Sequence, residues 1–168
     1  MHITGQPLHA FDYDKLAQLG TPGLVVRKAN EGETIALLGG KQITIKPGSP
    51  VIASTSGKPV ALAGIMGGLE TEVGDFTKNI LIECANFDMY AIRRSAMDHG
   101  IFTDASTRFT KKQSPLQNDR ALAYCLQLMF EMANGKVASR LIDYSSDNAS
   151  PGVIKTSLEN INTRLGLN

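Results

Sequence analysis

Residues 80–100, ILIECANFDMYAIRRSAMDHG, contain the switch that decides the fold class. The run 80–83 is apolar and β-branched, the signature of a strand. Asp88 then offers a side-chain oxygen to the free N–H groups of a helix over 89–99. Ile92 and Ala96 fall on one face of that helix, Arg93 and Arg94 turn to solvent, and Gly100 supplies the stop. N-terminal to this switch the chain reads as strands. Short apolar or β-branched runs recur at 24–26, 34–38, 42–45, 50–53 and 60–63, separated by Gly-Gly, Pro-Gly and Ser-Gly pairs. Gly39-Gly40 between two of them predicts a hairpin turn, because paired glycines supply the positive φ such turns need.

C-terminal to the switch the period is helical. Ser114 as cap and Pro115 at the first position precede Leu122, Leu126, Met129 and Phe130, whose spacing predicts one apolar core stripe ending at Gly135. The run 137–144 reads as one more strand, 145–152 as a linker, and 156–168 as a small helix beginning at Ser157. The expectation is an α+β fold: a domain over 1–150, and over 151–168 a linker and the start of another domain, as in an excised fragment.

The 168 residues suffice for one core. Apolar residues at 42% and charged residues at 20% exclude disorder, collagen and coiled coil. No apolar run approaches 18 residues and the N-terminus lacks a signal-peptide pattern, so a cytoplasmic protein with no membrane partner is expected. Cys84 and Cys125 show no metal-ligand spacing and are expected as buried thiols. His2, His9 and His99 are too scattered for a metal site. In a cytoplasmic chain the sequon at Asn148 carries no meaning. The net charge of +1 gives no global attraction to nucleic acid, so any RNA contact is local and DNA is not a partner. Gly40-Lys41 and Gly57-Lys58 have Ile35 and Ile52 where a P-loop needs its first glycine.

Four clusters remain: GQPLHAFD at 5–12, PVALAGIMGG at 59–68, LIECA at 81–85 and TDASTRF at 103–109. In this order and spacing they resemble the B3/B4 region of the β subunit of bacterial phenylalanyl-tRNA synthetase, from Gly5 to about Tyr144. The run 157–162 with Leu165-Gly166 resembles the opening of the B5 domain that follows. The resemblance implies an α+β fold with a β-sandwich of unusual topology flanked by helices. It also implies an editing function, hydrolysis of tyrosine wrongly esterified to the phenylalanine tRNA. Matched motif by motif, the pocket residues fall on His9, Gly67, Glu83, Thr103 and Ala105. The implied partners are the 3′ end of that tRNA carrying tyrosine, the α subunit and the rest of the β subunit in an α2β2 enzyme. ATP and Mg²⁺ are implied for the whole synthetase, with no cofactor in this segment.

The residue types suit that chemistry. A buried carboxylate at Glu83 would be left unpaired by phenylalanine and paired by the tyrosine hydroxyl; a strand carboxylate facing solvent or an Arg is the alternative. Gly64, Gly67 and Gly68 leave backbone N–H groups open to a ligand, or form a plain turn. Ala105 suits a pocket wall. Thr103 suits a hydrogen bond to the aminoacyl ester or adenosine, or, like Ser106, a cap. His9 is assigned positioning of water or ester rather than membership of a triad, against simple packing on Pro7 and Phe11. His99 suits the helix dipole.

After Phe109 the chain departs from the family pattern. The family's Glu and Gly are absent from Thr110-Lys111-Lys112-Gln113-Ser114, which puts editing in question and gathers a small basic patch with Arg108. A second reading is therefore a structural or tRNA-docking module that has lost hydrolysis. A free-standing protein acting on other misacylated tRNAs is a third, opposed by the B5-like tail.

Overall fold

The computed structural model describes residues 1–144 and 153–167. The chain divides into two units, Met1–Val137 and Ala138–Asn168. In the first, the chain runs through β1 (His9–Asp12), α1 (Tyr13–Gln18), β2 (Leu24–Lys28), β3 (Thr34–Ala36), β4 (Gln42–Thr44), β5 (Pro50–Ser54), β6 (Pro59–Leu62), β7 (Met66–Gly67) and β8 (Ile80–Glu83). Helices α2 (Met89–His99), α3 (Asp104–Phe109) and α4 (Asn118–Ala133) follow. The expected α+β class is what the chain adopts.

The strands form three antiparallel sheets: a four-stranded one ordered β2-β5-β6-β7, and the pairs β1-β8 and β3-β4. Gly39 and Gly40 sit in the β3–β4 hairpin with φ of 83° and 85°, as the glycine pair predicts. Two clusters of buried side chains make the core. One joins Leu37, Ile45, Val51 and Leu62 to Ile92, Ala96 and Phe109 of the helices. The other gathers Phe11, Leu16, Ile52, Val60, Ala61 and Ala63. α2 forms as its sequence predicts. The Asp88 carboxylate accepts from Tyr90 N and Ala91 N, Ile92 and Ala96 are buried, and Gly100 closes the helix in the left-handed region at φ 62°.

Other expectations fail. Ser114 caps only the 3-10 turn Pro115–Gln117, so α4 starts at Asn118. Asn134, at φ 49°, takes the left-handed closing position ahead of Gly135. The α4 stripe is not core: Leu122, Leu126 and Met129 are half-buried and Phe130 is exposed. Periodicity reports a helix face; burial needs a neighbour to cover it. Residues 137–144 form no strand, since no described strand pairs with them, and Val137, Leu141, Ile142 and Tyr144 are exposed. Cys84 and Cys125 are half-buried, not buried.

The second unit contains α5 (Leu158–Leu165), capped by Ser157 as expected and closed by Gly166 at φ 68°. The expected linker, with Asn148, lies at 145–152, outside the described residues.

Candidate functional site

β1 and β8 run antiparallel with His9 opposite Glu83. Directly opposed residues point to the same face of a ladder, so an imidazole and a carboxyl share one wall. Both line a cavity of about 80 Å³ together with Gly67 and Ala105. Four of the five residues marked by the motifs thus meet at one place. Thr103 does not line it. The Thr103 hydroxyl donates to the Ile65 carbonyl at 2.8 Å and accepts from Ser106 N at 3.1 Å, in a reciprocal cap that starts α3. It orients Ala105 and Ile65, which do line the cavity.

The Gly67 position explains the glycine. A Cβ built there would lie 2.6 Å from His9 Nε2, inside van der Waals contact. The His9 ring therefore rests on bare backbone, and its other support is an edge contact with Phe11 at 4.5 Å between centroids. Among the described residues no hydrogen bond or ion pair holds it. Burial pushes its pKa down, so the ring is neutral at pH 7 with a lone pair free. At Gly68 the backbone is engaged, its N–H donating to Val60 O at 2.8 Å. The glycine run spans the β6–β7 turn, where Gly67 and Gly68 permit the close approach of His9 and of the Val60 carbonyl.

Glu83 is a half-buried carboxyl whose pKa is pushed up to about 7 by desolvation, with the Ala85 backbone N–H pulling the other way. Neither ion pair among the described residues, Arg27–Glu33 or Lys58–Glu70, involves it. Cys84, beside it, is driven up to about 11 by burial and then by the charges of Glu83, Cys125 and Asp119, which makes it a poor nucleophile. His99 stands apart, accepting from Lys46 N at 2.9 Å through Nε2.

Phe87 and Phe109, in edge contact at 5.1 Å, complete the apolar wall. Gly64, at φ 65°, lets them in, since a Cβ there would sit 2.9 Å from Phe87. Sequence reasoning gave neither ring a role, although Phe109 closes the fourth motif. Two carbonyl-holding amides, Gln6 and Gln117, were missed as well; Gln6 stands inside the first motif, three residues before His9. A wider depression of about 440 Å³ beside α5 is formed by Thr156, Asn160, Ile161, Arg164 and Leu165 and holds none of the candidate residues. No described helix is long and apolar enough to cross a membrane, and no group of three or more His, Cys, Asp or Glu among the described residues could hold a metal ion.

The cavity sets one carboxyl, Glu83, and one imidazole, His9, among apolar walls, a lining whose chemistry suits an apolar group carrying one polar substituent. Its volume is far below the roughly 300–1,000 Å³ of pockets that enclose a whole ligand. Among the described residues, no side-chain hydrogen bond or ion pair ties the His9 ring in this wall.

A family model described as the B3/4 domain matches residues 1–134. The chain is 43% identical over 163 residues to the phenylalanine–tRNA ligase beta subunit of Geobacillus kaustophilus, covering 96% of this chain and 20% of that protein. It is 46% identical over 137 residues to that of a Synechococcus strain, covering 80% and 16%, and 42% identical over 163 residues to that of Carboxydothermus hydrogenoformans, covering 97% and 20%. The chain spans about one fifth of the length of the curated relatives it matches.

Proposed function

The chain belongs to the B3/4 domain family, and on that premise we propose that it is the editing pocket of a phenylalanine–tRNA ligase β subunit, hydrolysing tyrosine wrongly esterified to the phenylalanine tRNA. The observation that carries this reading is a single carboxyl, Glu83, set in an otherwise apolar cavity opposite an unbonded histidine. The tyrosine ring seats between Gly67, Ala105 and the Phe87–Phe109 pair. Its hydroxyl meets Glu83, which near pH 7 is shared between carboxylate and acid and bonds a phenol in either form. Phenylalanine offers no partner and leaves the desolvated carboxyl unsatisfied. Sites built to bind a substrate hydroxyl reject the analogue lacking it by roughly 10⁴.

For the chemistry, a water oriented by the His9 lone pair adds to the ester carbonyl carbon. The bond from that carbon to the ribose oxygen breaks, one proton of the water passes to the departing ribose oxygen, and the other stays with the new carboxyl group and is released to solvent as tyrosine's carboxylate forms. The products are tyrosine and uncharged tRNA; no covalent intermediate is required, because an aminoacyl ester is already labile and positioning supplies the rate. Thr103 acts indirectly, by fixing Ile65 and the start of α3. The working assembly in this reading is a cytoplasmic α2β2 ligase, with ATP and Mg²⁺ used for aminoacylation outside this segment.

The test is loss of the ester bond in Tyr-tRNA and Phe-tRNA, both on the phenylalanine tRNA, with the full-length ligase carrying this sequence and with Glu83→Ala beside it. The expected result is tyrosine-selective deacylation that the substitution abolishes. Equal, background-rate decay of both esters would overturn the reading and leave a structural or tRNA-docking role.

A further inference from the structure

The β1–β8 ladder pairs residues whose numbers sum to 92, as in His9 with Glu83 and Asp12 with Ile80. Carried two residues past His9, it would set Pro7 opposite Ala85. Pro7 has no N–H, so it cannot donate a backbone bond to the Ala85 carbonyl there. The Gln6 side chain takes over that rung. Its Nε2 donates to Pro7 O at 3.1 Å and to Ala85 O at 2.8 Å, tying the two strand ends together with one amide. Its Oε1 accepts from Gln117 Nε2 at 3.2 Å. Gln6 is fully buried, and its amide donates twice and accepts once, leaving no donor idle.

Other amides reinforce the same place. Gln113 Nε2 donates to Gly5 O at 3.2 Å, and Asn86 Nδ2 donates to Gln113 O at 2.7 Å. The segment 113–117, which includes part of the stretch that departs from the family pattern, is thereby bound to the approach to His9 and to the exit from Glu83. Among the described residues β1 and β8 have no third strand beside them. Side-chain bonds at this end add to the backbone ladder that sets His9 opposite Glu83.

We propose that Gln6 is a positioning residue that sets the spacing of His9 and Glu83 across the cavity and so determines tyrosine selectivity. The inference rests on the editing reading. Gln6 touches neither the cavity nor the reacting atoms; it acts through Pro7, two residues from His9, and Ala85, two residues from Glu83.

The experiment compares the full-length ligase carrying this sequence with its Gln6→Met and Gln117→Met variants. Tyr-tRNA and Phe-tRNA deacylation are followed across pH 5.5–8.5, a range of roughly one and a half units either side of the Glu83 midpoint. Gln6→Met keeps the side-chain length and loses both donated bonds. It should lower the tyrosine-to-phenylalanine ratio by about tenfold, through kcat more than KM, and shift the pH midpoint of selectivity. Gln117→Met, at a half-buried position, should move the same readings by about threefold and decides the matter if Gln6→Met assembles poorly. Lower thermal stability with the ratio and pH midpoint intact would overturn the inference while leaving the editing reading in place. A wild-type enzyme that does not prefer the tyrosine ester overturns the reading, and this inference with it.

Discussion

The β5–β6 pair and the β1–β8 pair are both short antiparallel ladders, held in opposite ways. β5 has β2 on one side and β6 on the other, and Val51, Ile52, Ala53, Val60 and Leu62 are at most 2% exposed. Its position is set by apolar burial and by backbone bonds to both neighbours. Among the described residues β1 and β8 pair only with each other, and all four residues of β8 are half-buried. Side chains hold their two ends. Gln6 bridges one; at the other, Asp12 caps α1 and accepts from Thr77 Oγ1 at 2.6 Å. A titratable pair placed on β5 or β6 would face full desolvation. At the β1–β8 ladder desolvation still lifts the Glu83 pKa to about 7 and lowers that of His9, while hydrogen bonds at the strand ends hold the strands themselves. The two ladders thus differ in how they are held, although Phe11 of β1 packs in the same cluster as Ile52 and Val60 and β7 supplies Gly67 to the site.

The sharpest test of that division is truncation. Leu62→Ala, in the centre of the larger cluster, should cost about 3–4 kcal/mol in urea unfolding. Leu81→Ala, half-buried on β8, should cost about 1–2 kcal/mol. Equal costs would mean that the ladders are not differently supported.

Two adjacent glycines divide the same way. A Cβ on Gly68 would meet the Val60 carbonyl at 2.6 Å, a backbone atom fixed within the sheet, so Gly68→Ala should cost about 2–3 kcal/mol. A Cβ on Gly67 meets the His9 ring, a side chain that can turn away. Gly67→Ala should therefore cost under about 1 kcal/mol yet abolish tyrosine ester hydrolysis. Denaturation and deacylation on the two variants should give inverted rankings; matching rankings break the comparison.

What the sequence disclosed follows the same line. Strands β2, β5 and β6 of the four-stranded sheet and the α2 helix were legible because β-branched runs, turn pairs, period and caps are local signals, and Asp88 and Gly100 act within their own helix; β7, two residues long, was not. His9, Gly67, Glu83 and Ala105 were legible only through motif resemblance; nothing in their spacing states that β1 pairs with β8, a contact across 74 positions. Gln6 was invisible because its role depends on Pro7 lying opposite Ala85. The α4 stripe misled for the converse reason. An apolar face of correct period forms whether or not a partner covers it, so Phe130 could read as core and stand exposed.

The pH dependence is the most diagnostic effect, because it concerns slope rather than height. Burial lifts the Glu83 carboxyl from its usual 4.5 to about 7, so between those values the folded chain holds a proton the unfolded chain has released. Stability then falls as pH rises through that window and levels above it. Since the carboxyl is only half-buried, the loss is on the order of 1–2 kcal/mol. Glu83→Gln should remove it and raise stability at pH 8 by that amount, with little change at pH 4.5. His9, lowered by burial, works the other way: its contribution is present above 6.5 and is lost as pH falls below it. The variant should keep that acid-side loss. Leu62→Ala should shift the whole curve down without tilting it, since no proton is involved. Unfolding free energies at closely spaced pH values separate these outcomes, and a Glu83→Gln curve parallel to the wild type would mean that the carboxyl is as well solvated in the fold as out of it.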